Sequence, residues 1–339
     1  MSPALSKVGV VGAGAWGTAL AQMLASDGRN VLLWALEPEL VGAINTQHRN
    51  SLYLPATTLA PTIRATGDLA DMAQCDILLL VTPAQHLGRI LEAIPALPRD
   101  LVLCSKGIEA GSGRLMSDVA RDAAPGSDIA VLSGPTFAHE VAAGLPTAVT
   151  LACGGGAAQW ERLRDAIARP SFRPYYSEDV IGAEIGGSVK NVLAIACGVV
   201  DGLGLGQNAR AALIARGYAE MLRFGEALGA DRDTLAGLCG LGDLVLTCSS
   251  TSSRNFSLGK ALGEGQLSGG QSAEALMSDR RTVAEGAHTA PVLVELAARH
   301  GVAMPIVTAV YRLLHGAPAR EVVSDMLARP LRSELGDNS

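Results

Sequence analysis

Short apolar runs rich in β-branched residues recur through the first half of the chain. These runs span residues 8–11, 31–34, 76–81, 101–104, 129–132 and 148–152, with helix-length stretches such as 17–27 and 85–94 between them. Runs without apolar–polar alternation are typical of strands buried on both faces, as in a parallel sheet covered by helices on each side. The alternation of strand and helix therefore predicts a doubly wound α/β architecture.

The pattern changes near residues 176–182. Beyond this point long stretches rich in Ala, Leu and Gly replace the strand-like runs, at 183–200, 208–228, 291–299 and 305–315. Their length and spacing predict helices. We therefore predict an α/β domain over residues 1–180, an all-helical domain over 181–332, and a polar, frayed tail over 333–339.

Composition narrows the class of protein. The chain has 339 residues, of which 48% are hydrophobic and 18% charged, which suits two folded domains. A net charge of −6 argues against a large nucleic-acid footprint, because such a surface is basic. No segment approaches the roughly 18 apolar residues that span a bilayer, and the N-terminus lacks a signal-peptide pattern. We expect a cytoplasmic protein with no stable membrane insertion and no nucleic-acid partner.

The cysteines point to a reducing compartment. The six of them stand at positions 75, 104, 153, 197, 239 and 248. None has the spacing of a CxxC or Cys/His metal site, and most lie in apolar stretches. We expect buried, reduced thiols that pack as small hydrophobic groups, and no metal site.

A glycine-rich turn follows the first predicted strand and precedes a helix-forming stretch. Its sequence is GAGAWG, the GxGxxG pattern of dinucleotide-binding Rossmann-like domains. Gly12 allows the tight turn, Gly14 lets the backbone approach a pyrophosphate, and Gly17 permits close packing of helix on strand. The pattern alone is weak in a chain with 39 glycines, but the strand before it and the helix after it favour a nicotinamide dinucleotide site.

A second glycine cluster has a different context. Residues 202–206 read GLGLG, but they follow an apolar helix rather than a strand. We interpret them as a loop between two helices. Asn208 is then placed to be the N-cap of the next helix.

The end of the second predicted strand bears on the choice of cofactor. Residues 35–39 contain no basic side chain, and Glu37 is suited to accept hydrogen bonds from the ribose hydroxyls of NAD while repelling the 2′-phosphate of NADP. A solvated glutamate at a helix start is nearly as good an explanation. The residues lean towards NAD and leave NADP open.

Two polar clusters follow predicted strands, where dinucleotide-binding sheets place their ligands. They read SKGIE from residue 105 and SGPTFAHE from residue 133. Lys106 is suited to contact an anionic substrate or the cofactor. The alternative is that it is a solvated lysine in a turn with no functional role. Gly134 and Thr136 offer a backbone amide and a hydroxyl. His139 is not selected, because a His–Glu pair on a surface helix is common.

The second half carries a lysine and an anion-binding cluster. Lys190 begins the most apolar helix, where desolvation lowers a lysine pKa towards that of a base; the alternative is that it snorkels to solvent. Arg254 beside Ser253 and Asn255 suits a phosphate, unless the segment is only a flexible Ser/Thr loop. Three interpretations are open for Asp243: it orients a lysine, it binds a substrate hydroxyl, or it caps a helix.

Taken in order, the motifs resemble the bacterial-type NAD(P)-dependent glycerol-3-phosphate dehydrogenases across nearly the whole chain. They are GAGAWGTALA, SKGIE, SGPTFAHE, GGSVKNVLAI, GLGDL, SSRN and VAEG. The resemblance implies a Rossmann-like N-terminal domain, a helical C-terminal domain, a substrate cleft between them and a homodimer. It also implies interconversion of dihydroxyacetone phosphate and sn-glycerol 3-phosphate with NAD or NADP, supplying glycerophospholipid synthesis.

The resemblance also assigns residue roles. Lys190 would be the general base that takes the proton of the C2 hydroxyl and returns it in the reverse reaction. The implied substrate-binding residues are Lys106, Gly134, Thr136, Lys190, Asp243, Ser253, Arg254 and Asn255. The implied cofactor-binding residues are Gly12, Gly14, Ala15, Trp16, Gly17, Lys106, Ala138, Arg254, Val283 and Glu285.

Two departures and two alternatives accompany the resemblance. Ala15 replaces a small polar residue of the family, and Leu36 replaces a common Arg or His, which strengthens the lean towards NAD. A dehydrogenase of the β-hydroxyacid type is the nearest alternative, although the cluster around Arg254 favours a phosphate ester over a plain carboxylate. A non-catalytic NAD(H)-sensing module would not need Lys190, Asp243 and Arg254 together.

Overall fold

The computed structural model describes residues 7–96, 98–268, 276 and 284–330. The predicted tail at 333–339 lies outside these residues. The strands of the described residues are β1 (Val8–Val11), β2 (Val31–Trp34), β3 (Arg49–Asn50), β4 (Leu54–Thr58), β5 (Ile63–Thr66), β6 (Ile77–Leu80), β7 (Asp100–Leu103), β8 (Asp128–Ser133), β9 (Thr147–Cys153) and β10 (Phe172–Ser177).

One eight-stranded sheet forms the centre of the first half. Its order is β10-β9-β8-β7-β6-β1-β2-β5, and β3 and β4 form a separate pair. Strand β1 pairs in parallel with both β2 and β6, so the winding of the chain reverses between β1 and β6. Ligands of doubly wound sheets bind at such a switch point, beyond the carboxyl ends of the strands. The glycine-rich turn follows β1 at this place.

The predicted doubly wound fold is confirmed, with one change of strand direction. All the apolar runs named above are strands, each within one residue of its predicted ends. Strand β9, which we expected in a parallel sheet, runs antiparallel to β8. The sequence pattern missed β3, β4, β5 and β10. Strands β5 and β10 are the two edges of the sheet. Strand β5 alternates buried with more exposed positions and β10 has one buried residue, Phe172, so neither has a continuous apolar run.

Helices cover both faces of the sheet and form the second half of the described chain. They are α1 (Ala15–Leu24), α2 (Pro38–Gln47), α3 (Leu87–Ala93), α4 (Met116–Ala123), α5 (Ala138–Ala142), α6 (Gly156–Ile167), α7 (Val180–Gly202), α8 (Gly206–Ala227), α9 (Arg232–Ala236), α10 (Asp243–Cys248), α11 (Arg254–Ser268), α12 (Glu285–Arg299), α13 (Pro305–Leu314) and α14 (Ala319–Leu327). Single turns of 3₁₀ helix at Ala25–Asp27 and Ala84–His86, a longer one at Leu69–Gln74 and a π turn at Leu238–Gly242 complete the list.

The predicted helical second half is observed, since no strand follows β10 among the described residues. The loop between α7 and α8 lies within the second glycine cluster, as expected. The prediction of an N-cap at Asn208 is wrong, because α8 begins at Gly206 after Leu205 and places Asn208 inside the helix. The predicted division after residue 180 falls one residue inside α7 and stays a prediction.

Helix α7 is the central element of the helical half. It has 23 residues and a mean hydropathy of 1.4, so by length and composition it is apolar enough to cross a membrane. Our expectation that no segment of the chain is long and apolar enough for this was wrong for α7. However, 94% of its apolar window is buried inside the protein, as in the core helix of a soluble enzyme. Its N-terminal half also packs against β8 and β9, which places it directly beside this part of the sheet.

Glycines let α11 approach α7 closely. A Cβ on Gly198 would lie 2.0 Å from the carbonyl oxygen of Phe256, and one on Gly259 would lie 2.0 Å from that of Ile195. Each helix therefore presents backbone to the other, with no room for a side chain at the crossing. This contact holds the N-terminus of α11, which carries Arg254, at a fixed place beside α7.

Candidate active site

The glycine-rich turn has the geometry that a dinucleotide requires. Gly12 has a φ of +115°, and a Cβ on Gly17 would lie 1.8 Å from the carbonyl oxygen of Gly12. In contrast, a Cβ on Gly14 would meet no atom within 4 Å, so this residue faces open space where a pyrophosphate can approach. Among the residues that the structure describes, no side chain caps the N-terminus of α1, which leaves its first N–H groups, from Ala15 and Trp16 onwards, for an anion. These residues fit a dinucleotide.

Two lysines converge on one buried carboxylate. The Nζ of Lys190 donates to Oδ1 of Asp243 at 2.6 Å, and the Nζ of Lys106 donates to Oδ2 at 2.7 Å. Lys190 also donates to Oγ1 of Thr247 at 2.9 Å. The Asp243 side chain is 0% exposed and that of Lys190 is 7% exposed. Lys190 therefore does not snorkel, and Asp243 orients lysines rather than capping a helix.

Burial and charge set the protonation of this cluster. Burial, together with the neighbouring Lys106, lowers the pKa of Lys190 to about 8, although the charge of Asp243 opposes this change. Burial acts in the same direction on Lys106, but its hydrogen bond and charge interaction with Asp243 outweigh it, so the pKa of Lys106 is raised. Burial would raise the pKa of Asp243, yet the two ammonium groups hold it below its usual value. Of the two lysines, Lys190 is the one whose pKa is lowered towards neutral pH.

Three separate elements bring these groups together. Lys106 follows β7, Lys190 lies in the middle of α7, and Asp243 is the first residue of α10. Thr247 lies one turn after Asp243 on the same face of α10, and we did not select it from the sequence. The four-residue spacing on a short helix was the signal that could have found it.

The N-terminus of α11 carries the predicted anion-binding cluster. Arg254 is its first residue and is solvent-exposed, and Oγ of Ser253 accepts the backbone N–H of Phe256 at 3.3 Å, as an N-cap does. An arginine at a helix N-terminus combines a guanidinium with the positive end of the helix dipole, which suits a phosphate.

Asn255 has a connecting role that the sequence did not reveal. Its Nδ2 donates to Oδ1 of Asn191 at 3.0 Å, and its Oδ1 accepts the N–H of Gly286 at 3.0 Å. The side-chain amide of Asn255, on α11, thus links this helix to α12 and to α7, where its partner is the neighbour of Lys190. Asn191 was not predicted, although it directly follows the lysine.

Glu285 faces the same cluster from the start of α12. Burial raises its pKa, and the charges of Arg254, Lys106 and Lys190 oppose this change. The site therefore places these three cations against two carboxylates, those of Asp243 and Glu285. Val283, another predicted cofactor contact, lies outside the described residues.

The remaining predicted residues lie along the carboxyl edge of the sheet. Gly134 follows β8 directly, and a Cβ there would lie 2.9 Å from Cα of Val149. The hydroxyl of Thr136 donates to the carbonyl oxygen of Gly134 at 3.3 Å, and Ala138 is the first residue of α5. Beyond β2, the hydroxyl of Tyr53 donates to Oε1 of Glu37 at 2.7 Å. Leu36 is 73% exposed.

Comparison with known protein families gives a match for each half of the chain. Residues 7–158 match the family described as NAD-dependent glycerol-3-phosphate dehydrogenase N-terminus, and residues 179–324 match its C-terminus. The chain belongs to the NAD-dependent glycerol-3-phosphate dehydrogenase family. The predicted family and the predicted class of NAD(P)-dependent oxidoreductase are thereby confirmed.

Relatives of this dehydrogenase match over almost its full length. Glycerol-3-phosphate dehydrogenase [NAD(P)+] of Erythrobacter litoralis is 71% identical, covering 97% of this chain and 98% of the relative. The enzyme of that name from Novosphingobium aromaticivorans is 72% identical over the same shares. The crystal structure of glycerol-3-phosphate dehydrogenase from Coxiella burnetii superposes with a TM-score of 0.88 at 38% identity, covering 96% of this chain and 99% of that one.

Proposed function

We propose that Lys190 gives and takes the proton at the C2 oxygen as this dehydrogenase interconverts dihydroxyacetone phosphate and sn-glycerol 3-phosphate. The observation that carries this role is the burial of Lys190 against Asp243, which leaves its pKa at about 8. An ammonium has three N–H groups, and among the described residues Asp243 and Thr247 accept two of them. The third is available to a substrate oxygen.

Lys190 and Lys106 have different roles at the reacting carbon. In the direction of reduction the Lys190 ammonium donates a proton to the oxygen that becomes the C2 hydroxyl; in oxidation the neutral amine accepts it. Lys106 keeps its proton throughout, because Asp243 raises its pKa, and its charge stabilises the developing negative oxygen. Asp243 holds both Nζ atoms in place and remains ionised.

The charges of the site favour a phosphate ester. Lys106, Lys190 and Arg254 outnumber the carboxylates of Asp243 and Glu285, so the site carries an excess of positive charge that attracts an anionic substrate. We assign the phosphate to Arg254, Ser253 and the N-terminus of α11, with Gly134, Thr136 and the remaining amide N–H of Asn255 beside the substrate. This cluster favours the phosphate ester over the carboxylate substrate of a β-hydroxyacid dehydrogenase.

The cofactor is NAD or NADP, and when bound it supplies or accepts the hydride at C2. Gly12, Gly14 and Gly17, with the first N–H groups of α1, would hold the pyrophosphate. We also assign to the cofactor site the residues Ala15, Trp16, Lys106, Ala138, Arg254, Val283 and Glu285. The proposed preference is for NAD, because Tyr53 holds the Glu37 carboxylate beyond β2 and Leu36 offers no positive charge to a 2′-phosphate.

The proposal extends to the cellular role of the enzyme. We place it in the cytoplasm as a homodimer that supplies glycerol 3-phosphate for glycerophospholipid synthesis. Its six cysteines are all buried and unpaired, which fits a reducing compartment. Light scattering of the purified protein tests the dimer, and a conditional deletion rescued by added glycerol 3-phosphate tests the supply role.

One assay tests the central assignment. Turnover is followed by NADH absorbance with dihydroxyacetone phosphate for the parent and for Lys190→Ala, and NADH binding is measured by fluorescence titration. We expect turnover of the parent, a loss of about 10³-fold or more in the variant, and unchanged NADH affinity. Undiminished turnover of Lys190→Ala would refute the role of Lys190.

A further inference from the structure

A buried carboxylate joins the two halves of the protein at a distance from the substrate. Glu184 lies on α7, and its Oε1 accepts the backbone N–H of Ser117 at 2.8 Å while Oε2 accepts the Ser117 hydroxyl at 2.6 Å. Ser117 is the second residue of α4, so the carboxylate satisfies a free N–H group and meets the positive end of that helix. Glu184 is 5% exposed and Ser117 is 2% exposed.

Both partners are connected to the catalytic lysines through short, ordered segments. Glu184 precedes Lys190 by six residues on one continuous helix. Lys106 lies near the start of the segment between β7 and α4, and Ser117 lies just beyond its end as the second residue of α4. That segment is closed on itself by a bridge between Ile108 and Leu115. A shift of α4 along α7 would therefore move one lysine relative to the other.

The aliphatic part of the Lys106 side chain also lies directly against α7, between Glu184 and Lys190. A Cβ on Gly187 would lie 3.5 Å from Cγ of Lys106 and 3.1 Å from Oγ of Ser133. Gly187 is three residues from Glu184 and three from Lys190. The surface on which Lys106 rests is thus the same stretch of helix that Glu184 ties to α4.

We infer that Glu184 is a positioning residue: its paired hydrogen bonds to Ser117 set the register between α7 and α4, and thereby the meeting of Lys190 and Lys106 on Asp243. This inference rests on the proposed roles of the two lysines. It assigns a function to a group that touches neither substrate nor cofactor.

The charge state of the carboxylate suits this task over a wide pH range. Burial raises the pKa of Glu184 to about 7, and the hydrogen bonds from Ser117 oppose the rise. The charged groups that face it are Asp118 and Arg121, both on α4. When protonated, the carboxyl still accepts the Ser117 N–H with one oxygen and donates to the Ser117 hydroxyl with the other, as a glutamine amide does.

Glu220 provides a matched control within the same chain. It is 2% exposed, its carboxylate accepts the backbone N–H groups of Ile306 and Val307 at the start of α13, and burial raises its pKa to about 7. Neither α8, which carries it, nor α13 contributes a residue to the proposed site. Loss of Glu220 therefore reports what a buried helix-capping glutamate contributes to stability alone.

The experiment compares Glu184→Ala, Glu184→Gln and Glu220→Ala with the parent enzyme. For each we measure kcat, the KM of dihydroxyacetone phosphate, NADH affinity and the pH dependence of kcat. Glu184→Ala should lower kcat by about 10- to 100-fold with NADH affinity unchanged, because a misplacement of about 1 Å costs this much. In this variant the pH at which the kcat of reduction falls on the alkaline side (the alkaline limb) should move above about 8, because Lys190 loses part of the burial that lowers its pKa. Glu184→Gln should recover kcat to within about 3-fold, because it keeps both hydrogen bonds.

The outcomes separate this inference from the proposed function. The inference is overturned if Glu184→Ala keeps the kcat and pH limb of the parent, or if Glu220→Ala changes both to the same extent. If Glu184→Ala does not fold, Ser117→Ala removes a single hydrogen bond and should shift kcat and the limb in the same direction by a smaller amount; an unchanged limb there also refutes it. Activity of Lys190→Ala would instead refute the lysine assignment itself.

Discussion

The ammonium of Lys190 lies 2.6 Å from Oδ1 of Asp243, and both side chains are buried. The pair joins α7 to α10, and Lys106 reaches the other oxygen of the same carboxylate from the sheet. A lysine held in this way has a fixed direction and a pKa of about 8. The cluster is therefore ready for proton transfer before any substrate binds.

The pH dependence should be opposite in the two directions of the reaction. In the proposed mechanism reduction requires the Lys190 ammonium, so the kcat of reduction should be constant below about pH 8 and fall as the pH rises through that value. Oxidation requires the neutral amine, so its kcat should rise over the same range. Initial rates from pH 6 to 10 in both directions test this, and limbs of the same sign would contradict it.

Asp243→Asn should move the reduction limb to lower pH. The carboxylate raises the pKa of Lys190, so its removal should lower the limb by about 1–3 units and reduce kcat at neutral pH. Asp201→Asn is the control, because Asp201 pairs with Lys260 and Arg210 in a partly exposed cluster. A limb that stays in place in Asp243→Asn would show that Lys190 is not the titrating group.

Arg254→Ala should chiefly weaken recognition of the phosphate. We expect the KM of dihydroxyacetone phosphate to rise about 100-fold, equivalent to about 2.7 kcal/mol, and the loss with dihydroxyacetone itself to be much smaller, since only the contact of Arg254 with the cofactor is then removed. Arg254→Lys should fall between the two, since it keeps the charge but loses the planar fork. Equal losses on both substrates would place Arg254 away from the phosphate.

The cofactor preference should respond to residues beyond β2. Leu36→Arg should raise kcat/KM for NADPH relative to NADH by about 10-fold, because the arginine supplies a partner for the 2′-phosphate. Tyr53→Phe should lower kcat/KM for NADH, since the Glu37 carboxylate loses the hydroxyl that holds it. Side-by-side rates with both cofactors measure the ratio, and an unchanged ratio in Leu36→Arg would show that the adenosine lies elsewhere.

Gly198→Ala should destabilise the helical half. Its new methyl group would lie 2.0 Å from the carbonyl oxygen of Phe256 and force α11 away from α7, at a cost of about 1–3 kcal/mol. Gly42→Ala in α2 is the control, because a Cβ there meets no atom within 4 Å and alanine favours a helix by about 1 kcal/mol. Thermal unfolding should separate the two variants in sign, and equal melting temperatures would contradict the packing argument.

The sequence by itself determined the fold class, the glycine turn and most strand ends. Apolar runs buried on both faces and the GxGxxG pattern are local signals, since each depends on residues that are neighbours in the chain. The edge strands β5 and β10 were not predicted, because exposed or partly exposed positions interrupt the apolar run in both.

Only the tertiary structure decided between the alternatives for the chemistry-bearing residues. Spacing alone favoured a snorkelling Lys190 over a catalytic one and left Asp243 open between orienting a lysine, binding a substrate hydroxyl and capping a helix. Their 2.6 Å contact joins residues 53 positions apart. The bonds from Glu184 to Ser117 span 67 positions in the same way. Desolvation and partner choice depend on what the fold brings together, and no local pattern carries that information.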